Sequence, residues 1–235
     1  MTASSLPIRG VSGLSGNSAS ASASASASQT SAAAATATAT SPLAKAVQRI
    51  QSDVTATTTQ LSKFGLLKSA LSDGQLASQA LSKLTRSASA SEVTQALGNF
   101  FNRLNASVGA ANAAVAASPN SAAANSARRV LGDLKSALRS DPATADALKK
   151  LGLSLQGDGS LLQDAKKFAA ALTSDPVGTR AALATLGKKV DALTSRELAS
   201  GGTLSLAVSG LNQHNTALAA QQKALSAYQS SLSSS

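Results

Sequence analysis

The C-terminal part of the chain, residues 203–235, carries a leucine at every seventh position: Leu204, Leu211, Leu218, Leu225 and Leu232. A seven-residue repeat aligns these side chains in one stripe along a helix. The positions that complete the seam are Val208, Asn215, Gln222 and Gln229, and three of these four are polar. The pattern predicts a coiled-coil arm that pairs weakly by itself and needs a partner or an assembly.

A second interrupted stripe runs from Leu43 to Leu71, within a predicted arm of residues 42–84, and its apolar residues recur in alternating steps of three and four. Thr57 and Lys68 interrupt it, and Asp73-Gly74 is expected to break its helix. We predict an N-terminal coiled-coil arm that pairs with the C-terminal arm. The expected assembly interface combines the five C-terminal leucines with Val47, Ile50, Val54, Leu61, Phe64 and Leu71.

Residues 92–200, between the arms, predict a small inner domain of helices. Ser140-Asp141-Pro142 and Ser174-Asp175-Pro176 each begin a unit in which Asp caps a helix and Pro lies in its first turn. Gly152 and Gly187 are expected to close these units in a left-handed conformation, which leaves compact helices of about ten residues. We also expect Asp164 to cap a helix.

A short β-hairpin is predicted near residues 153–161, where alternating leucines flank Gly157-Asp158-Gly159. The predicted fold class is therefore mainly α, with coiled-coil arms from both termini and a small helical inner domain that contains this hairpin.

The first 41 residues predict a disordered leader, because residues 18–40 are almost entirely Ser, Ala and Thr. No apolar segment follows Arg9, so a Sec-type signal peptide is not expected, and no run approaches the ~18 apolar residues of a membrane span. The chain has no Cys, which excludes disulfides and thiolate metal sites.

The net charge of +10 has two interpretations. Basic doublets on amphipathic helices are usually solvated faces, whereas a continuous basic surface would bind nucleic acid or anionic lipid. No aromatic residues interleave with the basic ones for base stacking, so the first interpretation is favoured.

Candidate catalytic chemistry is weak throughout the sequence. His214 is the only histidine, and the nearest acidic residue along the chain is Glu197, which disfavours a metal site. No G-x-S-x-G elbow occurs, and Ala182 stands where a phosphate loop ending at Gly187-Lys188 needs its first Gly. Asp158-Gly159 lacks the other ligand positions of a calcium loop. We expect no catalysis, no cofactor and no metal.

Several sequence segments, taken in chain order, resemble the corresponding segments of the family of flagellar filament cap proteins, also called flagellar hook-associated protein 2. They are Pro42-Leu43, the run from Gln60 to Ser72, Phe100-Phe101 with Asn105, Leu151-Gly152-Leu153 through Asp158-Gly159-Ser160-Leu161, Asp164, Asp175-Pro176, and Gly202-Thr203-Leu204 through Leu225. The resemblance covers about residues 42–84 and 97–232. Only Thr85 to Ala96 separates the two blocks, where the family carries a large variable outer domain.

The resemblance implies a structural component of the bacterial flagellum, exported without a Sec signal and working outside the cell. Its implied partners are flagellin, hook-associated axial proteins, further copies of itself and an export chaperone. The absence of Cys and the low aromatic content suit passage through a narrow export channel in an unfolded state. Two alternatives remain: a basic Ala/Lys-rich nucleic-acid-binding protein, and a type III secreted effector or regulator on the same scaffold.

Overall fold

The computed structural model describes residues 42–139 and 142–234, apart from the side chains of residues 143 and 233. The predicted disordered leader, residues 1–41, lies outside the described residues, as does the predicted cap at Asp141. The described part is mainly helical. Its elements are α1 Pro42–Ser82, α2 Ala90–Ala117, α3 Ala122–Arg139, α4 Pro142–Lys150, β1 Leu153–Leu155, β2 Leu161–Gln163, α5 Ala165–Ser174, α6 Pro176–Leu198 and α7 Thr203–Ser233.

Helix α1 is the central helix of the fold, because α2, α6 and α7 all pack against it. It has 41 residues and is therefore about 60 Å long. The predicted break at Asp73-Gly74 is wrong, since the helix continues to Ser82. Gly74 is buried there, and a Cβ at this position would lie 3.1 Å from the Oγ atom of Ser107 on α2. The glycine thus permits a close approach between two helices.

The buried stripe of α1 differs from the predicted one. It begins at Thr57 and runs to Leu81 in alternating steps of three and four, through Gln60, Phe64, Leu67, Leu71, Gly74 and Ser78. Leu61 is only half-buried and Lys68 is exposed, because the stripe passes through the neighbouring positions 60 and 67 instead. The predicted and the observed stripes share Thr57, Phe64 and Leu71, which recur every seven residues, and differ at the positions between them.

Helix α6 crosses α1 at Gly187. The prediction that Gly187 closes a short unit is wrong, because it lies in the middle of a 23-residue helix. A Cβ there would lie 2.6 Å from both the carbonyl oxygen of Ser78 and the amide nitrogen of Ser82. The matching prediction for the first unit is confirmed: α4 is short, and Gly152 follows it with a φ of 70°.

The predicted hairpin is confirmed as an antiparallel pair in which Leu153 faces Gln163 and Leu155 faces Leu161. Asn105 of α2 holds it in place with both amide atoms. Its Nδ2 donates to the carbonyl oxygen of Leu161 at 3.0 Å, and its Oδ1 accepts from the amide nitrogen of Leu161 at 2.8 Å. Lys135 of α3 donates to the carbonyl oxygen of Gly157 in the turn.

The predicted helix caps at Asp164 and Asp175 are also confirmed. Asp164 accepts hydrogen bonds from the amides of Lys166 and Lys167, and Asp175 accepts one from Gly178. The hydrogen bond from the Lys167 amide lowers the pKa of the Asp164 carboxyl. Among the helices of residues 42–139 and 142–234, none combines the length and apolar character that crossing a membrane requires.

Candidate assembly surface

Helices α1 and α7 pack against each other in opposite directions. Residues 53–60 of α1 and 206–214 of α7 line one cleft, while Gln222, further along α7, donates from its Nε2 to the Oε1 of Gln51 at 3.1 Å. Residues later in α7 thus lie beside residues earlier in α1, as in an antiparallel helix pair. We call residues 42–54 of α1 and 215–232 of α7 the tip. Apart from Asp53, which lies at the edge of the cleft, these residues lie beyond it.

The tip leaves most of its surface open to solvent. None of residues 42–54 is buried, and Leu218 is the buried residue of the α7 part. Tyr228 and Leu232 are 56% and 55% exposed. Among the predicted interface residues, those half-buried within the tip are Val47, Ile50, Val54 and Leu225. Two helices alone therefore do not cover the apolar stripes here.

Other predicted interface residues lie inside the chain's own core. They are Phe64, Leu71, Leu204 and Leu211, each at most 8% exposed. Leu218, at 4%, is also covered by the chain itself, and Leu61 is half-buried against the core. In this fold these side chains hold α1 and α7 to the bundle. The open part of the predicted interface is consequently limited to Val47, Ile50, Val54, Leu225 and Leu232.

Polar seam residues and charge distinguish the tip from a strongly self-pairing coil. The Gln51–Gln222 hydrogen bond lies between the two helices, whereas Asn215 is half-buried and Gln229 is exposed. A polar residue at a seam position selects register at a cost in stability. The charged side chains of the tip are Lys45, Arg49 and Lys223 against Asp53, so its surface is weakly basic.

At the base of the tip, α1, α3 and α7 enclose an open cleft of about 610 Å³. Thr57 and Gln60 form its buried floor, and the exposed His214 lies at its edge together with Asp53. This placement agrees with an exposed or helix-packing imidazole. Within residues 42–139 and 142–234, no group of three or more acidic or histidine side chains is placed to hold a metal ion.

One residue of chemical interest was not singled out by the sequence patterns. Glu197, in the last turn of α6, is 3% exposed, and its Oε2 atom has no hydrogen-bond partner. Burial raises the pKa of this carboxyl, the Thr203 hydroxyl opposes the rise, and the Asp133 carboxylate adds to it. One feature of the sequence could have identified it. Glu197 follows Leu186, Val190 and Leu193 in alternating steps of four and three, so it occupies the next buried position of α6.

Comparison of the chain with protein-family models, with curated proteins and with solved structures finds no match.

Proposed function

We propose that this chain is a non-enzymatic structural subunit of the bacterial flagellum, similar to the filament cap or to a hook–filament accessory subunit. In this proposal the tip is the working part of the coiled-coil arms. It inserts between neighbouring axial subunits, such as flagellin, hook-associated proteins or further copies of this chain. The helical bundle below it holds the two arms at a fixed spacing.

The observation that carries the proposal is the incomplete burial of the tip. Val47, Ile50, Val54 and Leu225 are half-buried, and Leu232 is exposed, although all five continue stripes that are covered lower in the bundle. Fully burying one such side chain from full exposure is worth about 1.5–3 kcal/mol, and a half-buried side chain gains part of this. A third or fourth helix laid along the tip would supply that burial, which links completion of the fold to assembly.

The proposal predicts that charges at the tip abolish assembly without unfolding the bundle. We would express Tyr228→Glu/Leu232→Glu in cells that lack the native chain and measure its amount in sheared filaments. A matched control is Leu76→Glu, because Leu76 is 65% exposed yet lies about 40 Å from Ile50 along α1. The tip variant should be lost from filaments, and the control should be retained.

Equal incorporation of both variants would contradict a role for the tip. If instead the wild-type chain stays in the cytoplasm and binds DNA or RNA with a steep salt dependence, the nucleic-acid alternative replaces this proposal. Circular dichroism of each purified variant verifies that the helices remain folded.

A further inference from the structure

The joint between α6 and α7 contains an arrangement that the assembly proposal does not explain. The two helices are connected by residues 199–202, and Gly202 lies so close to the end of α6 that a Cβ would come within 2.4 Å of the carbonyl oxygens of Arg196 and Glu197. Gly202 is also the N-cap residue of α7 and provides no side-chain hydrogen bond. The start of α7 is therefore pressed against the turn that holds Glu197.

Glu197 is poorly compensated in this position. Its Oε2 atom is buried without a hydrogen-bond partner. The nearest basic group is Arg196, whose Nε lies 3.8 Å from Glu197 Oε1 and whose Nη2 lies 3.6 Å from Asp133 Oδ2. Both distances exceed the length of a hydrogen bond. The Arg196 side chain is 66% exposed, so water screens its charge.

Every helix packed at this joint contributes charged or polar side chains that face it. Asp133 approaches from α3, Arg196 belongs to α6 itself, and α7 contributes the uncharged Thr203 hydroxyl. Lys189 of α6 lines the adjoining cleft beside Asp133. From α1, the amides of Gln75 and Gln79 bond to Ser195 and Asp191 of α6.

We propose that this joint is a proton-sensitive clamp: α7 stays docked on α1, α3 and α6 while the Glu197 carboxyl is protonated, and it loosens when that carboxyl ionises beside Asp133. A neutral carboxyl is tolerated in a buried position, whereas a buried carboxylate with one unpartnered oxygen is costly. Loosening α7 would also separate the two helices of the tip.

The direction of the pH effect follows from linkage. Burial raises the pKa of the Glu197 carboxyl in the docked structure. In this proposal undocking of α7 exposes the carboxyl and returns its pKa toward the ordinary value, so the docked state binds the proton more tightly. Docking therefore weakens as pH rises from the ordinary carboxyl range to the raised value, and it is constant below and above this window. Within the window, the ratio of undocked to docked α7 rises at most tenfold per pH unit, the limit for one proton.

The absence of Cys from the chain allows a direct test by paired spin labels. Labels at Arg129→Cys on α3 and Ser209→Cys on α7 occupy exposed positions on helices that pack together. Electron paramagnetic resonance distances would be measured between pH 4 and pH 8. We expect one short distance at the acidic end and a growing long-distance population as pH rises.

Three variants in this labelled background decide the cause. Glu197→Gln should keep the short distance at every pH, and Asp133→Asn should reduce the response. Asp158→Asn, which neutralises an exposed carboxyl in the hairpin turn, should behave like the parent. A parent distance that does not change with pH would overturn the proposal. So would a response that persists in Glu197→Gln, which retains His214 and every other titratable group.

Discussion

Replacing Gly187 with alanine tests the packing of α6 on α1. In the middle of a helix, alanine is normally favoured over glycine by about 1 kcal/mol. Here the new Cβ would lie 2.6 Å from the Ser78 carbonyl oxygen and the Ser82 amide nitrogen, and 3.1 Å from the Leu81 carbonyl carbon. Because these are backbone atoms, α1 and α6 must separate. Overpacking costs about 1–3 kcal/mol, so a cost near the upper end leaves Gly187→Ala about 2 kcal/mol less stable than the parent.

The matched control is Gly132→Ala in α3, where a Cβ meets nothing within 4 Å. This variant should be more stable than the parent by about 0.5–1 kcal/mol. Urea unfolding followed by circular dichroism would give the free energy of unfolding for both variants and the parent. If Gly187→Ala proves as stable as Gly132→Ala, the close helix crossing is not the reason for the glycine.

Four further substitutions test other parts of the structure. Leu211→Ala should lower the free energy of unfolding by about 2–5 kcal/mol, whereas Leu232→Ala should change it by less than about 0.5 kcal/mol, as urea unfolding will show. Asn105→Ala removes both anchors of β2 and should cost about 1–3 kcal/mol, with faster amide hydrogen exchange confined mainly to the hairpin. Hydrogen bonds from Ser89 lower the pKa of Glu92, so the stability this carboxylate contributes is present above its ordinary range and is lost on acidification. Glu92→Gln should therefore flatten the acid limb of the stability–pH curve, and an unchanged limb would contradict the capping box as its source.

The helical class, the hairpin and the caps at Asp164 and Asp175 were predictable because each has a local cause. Asp and Pro at a helix start, or glycines between alternating leucines, act within a few residues of sequence. The positive φ of Gly152 belongs to the same category. Such signals need no knowledge of what packs against them.

The roles of Gly74 and Gly187 were not predictable, because a glycine at a turn and a glycine at a helix crossing look alike in sequence. The crossing requires α2 or α6 to approach α1, and that is a tertiary fact. The register of α1 changed for the same reason. Helices α2, α6 and α7 all pack against α1, so the buried stripe follows Gln60 and Leu67 rather than Leu61 and Lys68.

The candidate surface was predictable only in part. Heptad spacing identified both stripes, but it does not tell whether a leucine faces the chain's own core or solvent. Leu211 and Leu232 occupy equivalent positions in the repeat, yet one is 8% and the other 55% exposed. The burial of Glu197 was not predicted, because it depends on tertiary packing. Helix α3 is distant from Glu197 in sequence, and α7 begins only after the turn of residues 199–202.

Cell fractionation decides whether this chain is an exported axial subunit. Sheared flagella, culture supernatant and cytoplasm would be probed for the chain in cells with and without a working flagellar export apparatus. We predict that the chain is found on sheared filaments only when the apparatus works. Its retention in the cytoplasm in both backgrounds would rule out an axial role and favour a nucleic-acid-binding role.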